Sequence, residues 1–275
     1  MTTASGPRLA EAEPGAGSAG VLTGVRVVVT GASSGLGAHV VRLLVGRGAL
    51  VVGAARRADR LAALATEVAD GPGRLVTCPT DVTDDDQVRR LVATAELELS
   101  GIDALVNNAG SETQGPIESL PDSAFDSMLA ANVRSVFLCT RAALPALRRS
   151  RGMVVNVGST VVSRPPRGRF GYVASKGAVE AMSRALAVDL GADQIRVNVI
   201  RPGIIPSELR GLTEAAERAR FETGITFGKQ ALKIVGNGLD VAEAVAWLVG
   251  PGGRWVTRAV IDVDGGYVLG LADLA

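Results

Sequence analysis

Histidine and cysteine are almost missing from this 275-residue chain: one histidine, His39, and two cysteines, Cys78 and Cys139. A single histidine just after a glycine-rich turn, with no nucleophile motif beside it, argues against a Ser-His-Asp hydrolase. One histidine and two distant cysteines cannot assemble a His/Cys zinc site, so no metal is expected. The cysteines sit in apolar surroundings far apart, which reads as two buried free thiols in a reducing compartment. Net charge is +1, with 29 basic against 28 acidic residues. Such a balance gives no field for nucleic acid or an anionic membrane. No apolar run reaches the roughly 20 residues needed to span a bilayer. Met1 to Gly20 are rich in Ala, Gly, Glu and Pro and lack the apolar centre of a signal peptide and the basic amphipathic pattern of a transit peptide. They read as a flexible tail, placed at residues 1–22, and the expected location is the cytoplasm.

What is present is a globular chain. Hydrophobic residues make up 47% and mean hydropathy is +0.26, enough for a sizeable core. Short β-branched runs alternate with helical patterns. Strands are expected at Val25–Thr30, Leu50–Ala54, Arg74–Cys78, Ala104–Val106, Met153–Val157, Arg196–Ile200 and Val260–Val263. Helices are expected at Gly37–Gly46, Asp59–Ala69, Asp84–Leu99, Phe125–Leu147, Val173–Leu190 and Val241–Leu248. Apolar strands spaced by helices predict an α/β fold, a doubly wound (Rossmann) parallel sheet of about seven strands with helices on both faces. The alternation never breaks for long, so residues 23–275 read as one Rossmann-type domain. The longest irregular stretch, around 204–239, reads as a substrate lid.

After the first strand comes Thr30-Gly31-Ala32-Ser33-Ser34-Gly35-Leu36-Gly37, and a helix follows. Unpaired N–H groups and the dipole at such a helix start favour a pyrophosphate. Gly31 permits the turn, Gly35 lets the backbone approach phosphate, and Gly37 lets helix pack on strand. The second strand ends Ala54-Ala55-Arg56-Arg57. An acidic residue there would bind the 2′-hydroxyl of NAD. Two arginines stand there instead and suit a 2′-phosphate, so NADP is expected before NAD.

Tyr172 and Lys176 are four residues apart in a helical segment and share one face. A phenol with an ordinary pKa of about 10 exchanges protons poorly at neutral pH. A neighbouring ammonium stabilises the phenolate and makes the pair a candidate acid–base device.

Five ordered motifs together resemble the short-chain dehydrogenase/reductase family over about Gly24 to Leu269. Thr30 to Gly37 matches T-G-x-x-x-G-x-G. Asn107-Asn108-Ala109-Gly110 matches N-N-A-G. Ser159 precedes Tyr172-Val173-Ala174-Ser175-Lys176, a Y-x-x-x-K, at the family spacing. Asn132 lies in the helix that carries the family's catalytic Asn, and Arg201-Pro202-Gly203 matches the turn after the sixth strand. Two departures are Gly158, where Ser is frequent, and Ser207, where Thr is more usual. The resemblance implies that Tyr172 is general acid or base and that Ser159 polarises the substrate oxygen. Lys176 would hold the nicotinamide ribose and assist Tyr172, and Asn132 would hold a water linking Lys176 to solvent. It also implies that the cofactor lies against Gly31, Ser33, Ser34, Gly35, Leu36, Gly37, Arg56, Arg57, Asp81 and Val82. Asn108, Ala109, Gly110, Tyr172, Lys176, Pro202, Gly203, Ile205 and Ser207 would complete that surface. Family members usually form dimers or tetramers through the helices at 125–147 and 173–190, whose apolar faces here include Leu138, Ala142, Val179 and Met182.

The expected function is an NADP(H)-dependent ketoreductase moving hydride to or from a small-molecule carbonyl or secondary alcohol. A 3-oxoacyl-[acyl-carrier-protein] reductase is the alternative, with Arg148, Arg149 and Arg151 facing an acidic carrier. A catalytically silent NADP-sensing protein is a third reading, disfavoured because Tyr172 and Lys176 are both present. Arg164, Arg167 and Arg169 lie between Ser159 and Tyr172 and are expected to border the pocket, with Leu209, Phe221, Ile225, Phe227 and Lys229 closing over it. That mixture suggests an apolar substrate with an acidic or polar part.

Overall fold

The strands form because Val-rich runs such as Val27-Val28-Val29 and Val51-Val52 bury both faces, a pattern that only a sheet covered on both sides satisfies. In a computed structural model, which describes residues 20–205, 219, 230–232 and 234–269, these runs become seven parallel strands. They are β1 (Arg26–Thr30), β2 (Leu50–Ala55), β3 (Arg74–Pro79), β4 (Ala104–Asn107), β5 (Met153–Val157), β6 (Arg196–Pro202) and β7 (Val260–Val263). The helices are α1 (Gly35–Gly46), α2 (Ala58–Glu67), α3 (Asp85–Leu99), α4 (Asp122–Leu129), α5 (Ser135–Ser150), α6 (Phe170–Asp189) and α7 (Gly238–Val249). Strand order is β3-β2-β1-β4-β5-β6-β7. The direction of winding reverses between β1 and β4, and a crevice opens there at the carboxyl ends of the strands.

Two apolar layers hold the helices to the sheet. On one face Val27, Val29, Val51 and Val155 pack against α1 and α7 through Val41, Leu44, Val241 and Val245. On the other, Val28, Val52, Leu105 and Val154 pack against α3 and α5 through Leu91, Ala95, Leu138 and Leu147. Helix ends follow local chemistry. Asp84 caps α3 by accepting from Gln87 N–H at 3.0 Å, and Asn237 with Asp240 forms a capping box on α7.

The structure corrects three expectations. The single helix at 125–147 is two helices joined by a π-helical turn, Ala130–Arg134. Met128, Asn132, Val136 and Cys139 are buried at ordinary three-to-four-residue spacing across that turn, so the sequence pattern does not show it. Leu138 and Val179 point into the protein's own core, at 2% and 1% exposure, and offer no outer pairing face. On α5 and α6 the exposed large apolar residues are Phe137, Phe170 and Val188, and Ala142 and Met182 are half-buried. Cys139 is buried, and burial pushes its thiol up to about 12, but Cys78 on β3 is only half-buried.

Ser207, Leu209, Phe221, Ile225, Phe227 and Lys229 lie outside the described residues, as do most of 204–239 and the tail to residue 19. Among the described residues no helix is long and apolar enough to cross a membrane.

Candidate active site

A cavity of ≈ 1130 Å³ runs along the crevice from the β2 end to the start of α6. At its β2 end the wall is mostly backbone. Gly31 has φ +67°, a left-handed conformation that suits glycine. A Cβ on Gly37 would collide with the Gly31 carbonyl and stand 2.5 Å from Asn108 Nδ2, so α1 approaches β1 as closely as the fold allows. Asn108 secures the turn: its Nδ2 donates to the carbonyls of Thr30 (2.9 Å) and Gly31 (3.2 Å). The Thr30 hydroxyl accepts from the N–H groups of Asn108 and Ala109 at 3.0 and 3.1 Å. Ser34, at the N-cap of α1, makes no side-chain cap, and the first turn carries no acidic residue. The first N–H groups of α1 are thus left for a ligand anion. A glycine turn with no room for side chains, beside an uncapped helix start, fits a dinucleotide pyrophosphate.

Of the residues expected at the cofactor, Gly31, Ser33, Ser34, Gly35, Leu36, Arg56, Arg57, Asp81, Val82, Asn108, Ala109 and Gly110 line this cavity, as do Pro202, Gly203 and Ile205. Gly37 does not line it and acts through packing. Arg57 folds back over the loop, its Nη2 donating to Ser34 Oγ at 2.5 Å and Ser33 Oγ at 3.3 Å. One Asp81 oxygen accepts from the N–H (2.9 Å) and hydroxyl (2.7 Å) of Thr83, which fixes the carboxylate in a tight local turn.

At the other end the wall is side chain. Lys176 is 5% exposed, and its Nζ donates to the Val157 carbonyl at 2.8 Å. Nζ lies 5.7 Å from the centroid of the Tyr172 ring. Burial lowers the Lys176 pKa to about 8. Tyr172 and Ser159 line the cavity beside it. Ser159 Oγ accepts from the Val161 N–H at 3.4 Å, so it does cap a turn, and its O–H is still a donor. Gly158 suits its place: a Cβ there would stand 2.8 Å from Val199 Cγ1.

Asn132 stands at the middle of the π turn and is 1% exposed. Its Oδ1 accepts from Ser111 N–H at 2.7 Å, and its Nδ2 donates to the Ser111 carbonyl and Ser175 Oγ, both at 2.9 Å. Ser175 Oγ donates onward to the Tyr172 carbonyl at 2.8 Å. The Asn132 side chain is therefore committed to the loop after β4 and to α6. Asn107 also proves structural. Its Nδ2 donates to Asn156 Oδ1 at 2.9 Å, and Asn156 Nδ2 donates to Ser183 Oγ at 2.8 Å.

Sequence reasoning gave no role to Thr30, Ser111, Ser175 or Tyr267. Thr30 and Ser175 lie inside quoted motifs, so the signal was there. Tyr267 comes from the C-terminal segment and lines the cavity, with the Arg164 guanidinium 4.7 Å above its ring. Arg164 also donates to the Tyr267 carbonyl at 2.7 Å. It does not line the cavity, whereas Arg167 and Arg169 do. Arg169 pairs at 3.0 Å with Glu112, whose side chain is 2% exposed.

A glycine-turn dinucleotide cradle joined to a Tyr-x-x-x-Lys helix defines a class of pyridine-nucleotide oxidoreductase, and comparison with known proteins agrees. The family profile described as short chain dehydrogenase matches residues 25–218. The chain is 33% identical over 249 residues to nodulation protein G of a Rhizobium species, covering 90% of this chain and 98% of that one. It is 35% identical over 244 residues to cis-4-hydroxycyclohexanecarboxylate dehydrogenase of Sinomonas cyclohexanicum, covering 87% and 95%. A short chain dehydrogenase of Burkholderia cenocepacia, solved in complex with NADP, superposes with a TM-score of 0.79 at 33% identity over 90% of this chain and 98% of that one. The chain belongs to the short-chain dehydrogenase/reductase family and is an NAD(P)-dependent oxidoreductase.

Proposed function

We propose that this oxidoreductase is an NADP(H)-dependent ketoreductase acting on a compact carbonyl compound or the matching secondary alcohol. The observation that carries the reading is the buried Lys176 ammonium beside the Tyr172 ring in a cavity that Ser159 also lines. NADP(H), when bound, supplies or accepts the hydride. The residues that would hold it are the loop Gly31 to Leu36, Arg56 and Arg57, Asp81 and Val82, Asn108 to Gly110, Lys176, and Pro202, Gly203 and Ile205. Arg57 over the loop serines, with Arg56 on the same wall, supports NADP before NAD. A relative solved with NADP agrees with that preference.

Ser159 donates its O–H to the substrate oxygen and polarises it. Tyr172 delivers a proton from Oη to that oxygen during reduction and takes it back during oxidation. Lys176, one helical turn on, stabilises the phenolate that Tyr172 leaves behind. Asn132 positions the loop at Ser111 against α6, which holds Tyr172 and Gly110 in place. A water linking Lys176 to solvent would meet Asn132 at its backbone or at the second lone pair of Oδ1, since both Nδ2 hydrogens are already donated.

Small alicyclic alcohols suit the site better than carrier-bound chains. Of the three arginines that could meet an acidic carrier, Arg148 pairs with Asp193 at 2.8 Å and Arg149 with Glu96 at 2.5 Å. The charge of these two is matched within the chain, which leaves Arg151 as the one of the three without an ion pair among the described residues. A relative named for a hydroxycyclohexanecarboxylate supports a ring-sized secondary alcohol. Self-association as a dimer or tetramer has Phe137 and Val188 as its exposed apolar anchors. The test is NADPH oxidation across a panel of ketones. Turnover that survives Tyr172→Phe unchanged sinks the assignment.

A further inference from the structure

Of the two guanidinium groups that line the cavity between Ser159 and Tyr172, one has no counter-ion among the described residues. Lys176 is buried and turned to Val157 O. Arg169 is matched by Glu112 at 3.0 Å, a pair almost shut off from water on the Glu112 side. Arg167 lines the same cavity, is exposed, and has no ion pair or hydrogen bond among the described residues. Val161, Pro166 and Ile204, which line the same cavity, are apolar. A guanidinium left unpaired among the described residues, in a cavity that also has apolar lining, rewards an anion at the end of an apolar body.

Resting on the ketoreductase reading, we propose that the substrate carries a carboxylate remote from its reacting oxygen, and that Arg167 is the residue that selects it. One planar fork pairs with one carboxylate by two parallel hydrogen bonds, and a single guanidinium balances its charge of −1, whereas a phosphate carries about −1.5 to −2. The Glu112–Arg169 pair sharpens the choice. It fills the other charged position on this wall with a matched pair, so a second anionic group on the substrate would meet Glu112. The chemical class is therefore a monocarboxylate with a compact apolar body and a ketone or secondary alcohol at its far side.

The test separates recognition from turnover. Binding of 4-hydroxycyclohexanecarboxylate and of its carboxamide is measured by calorimetry on the NADPH-loaded protein, where neither alcohol can be oxidised. The wild type is expected to bind the carboxylate about tenfold more tightly than the amide, a modest factor because Arg167 is exposed. The preference should shrink as salt is raised. Arg167→Gln should bring the ratio to about one, Arg167→Lys should keep part of it, and Arg167→Glu should invert it. Equal binding of acid and amide by the wild type overturns the proposal, as does a preference that survives in Arg167→Gln. Turnover is read separately with 4-oxocyclohexanecarboxylate and its amide. A carboxylate preference in binding with no turnover of any ketone would sink the ketoreductase reading and leave the Arg167 assignment standing.

Discussion

The two ends of the cavity solve opposite problems with opposite materials. The cofactor end is made of backbone: a glycine turn, an uncapped helix start, and two polar side chains, Thr30 and Asn108, that brace the turn. It buries no unpaired charge. The reacting end is made of side chains and places a buried ammonium on a backbone carbonyl beside the Tyr172 ring. Binding energy for a constant ligand comes from geometry that folding fixes anyway. Chemistry at a variable ligand needs a charge kept short of water, which costs stability.

Tyr172→Phe should break the reacting end alone. Loss of the proton donor is expected to lower kcat/KM by about 10²–10⁴-fold. NADP(H) affinity, measured by fluorescence titration, should stay within about twofold, a change of less than 0.5 kcal/mol. A parallel fall in cofactor affinity would mean that the two ends are not separable.

Lys176 tests the stability cost. Its folded-state pKa is about 8 against 10.5 for the free side chain. Between those values the unfolded chain binds more protons than the folded one, so stability rises with pH across that window. Below about pH 8 the penalty is fully present, on the order of 3 kcal/mol for the ligand-free protein. The difference in urea unfolding energy between wild type and Lys176→Met should therefore change by that amount from pH 7.5 to 10.5, in favour of the wild type. A flat difference would show that Lys176 stays charged at no cost.

How far the sequence carried differs between the two ends in the same way. The glycine turn was legible residue by residue, because few arrangements of Gly31, Gly35 and Gly37 satisfy a strand, a tight turn and a helix start at once. The seven strands were legible because Val-rich runs buried on both faces have few alternatives; Met153–Val157 and Val260–Val263 match to the residue. The π turn was not, since the buried positions Met128, Asn132, Val136 and Cys139 keep the three-to-four-residue spacing of an ordinary helix across it. Nor was the contact of Tyr267 with the cavity, which depends on the C-terminal segment folding back under Asp264. The separation of Arg167 from Arg169 was equally hidden, because it rests on Glu112, 57 residues upstream of Arg169. Long-range pairing of this kind leaves no periodic trace.

Gly37→Ala should break the cofactor end by the least chemistry possible, one methyl group. The added Cβ meets the Gly31 carbonyl and Asn108 Nδ2, neither of which can retreat without loosening the turn. Overpacking of this kind costs about 1–3 kcal/mol. NADP(H) affinity is expected to fall by about 10–100-fold, with the Lys176 pH dependence intact.

The smallest effect falls on the residues that read the cofactor's 2′ position. Arg57 is held over the loop by Ser33 and Ser34 and lines the cavity there. It is exposed, so its pairing is screened by water and salt. Arg57→Ala is expected to weaken NADP by about tenfold and NAD by less than twofold, measured as the ratio of kcat/KM for the two cofactors. Arg56→Ala should act in the same direction, and the double variant should add to it, since both meet the same anion. An equal loss for NAD and NADP would mean that Arg57 acts through the two serines on the shape of the glycine turn. The cofactor end would then be backbone throughout, with no side chain choosing between the two nucleotides.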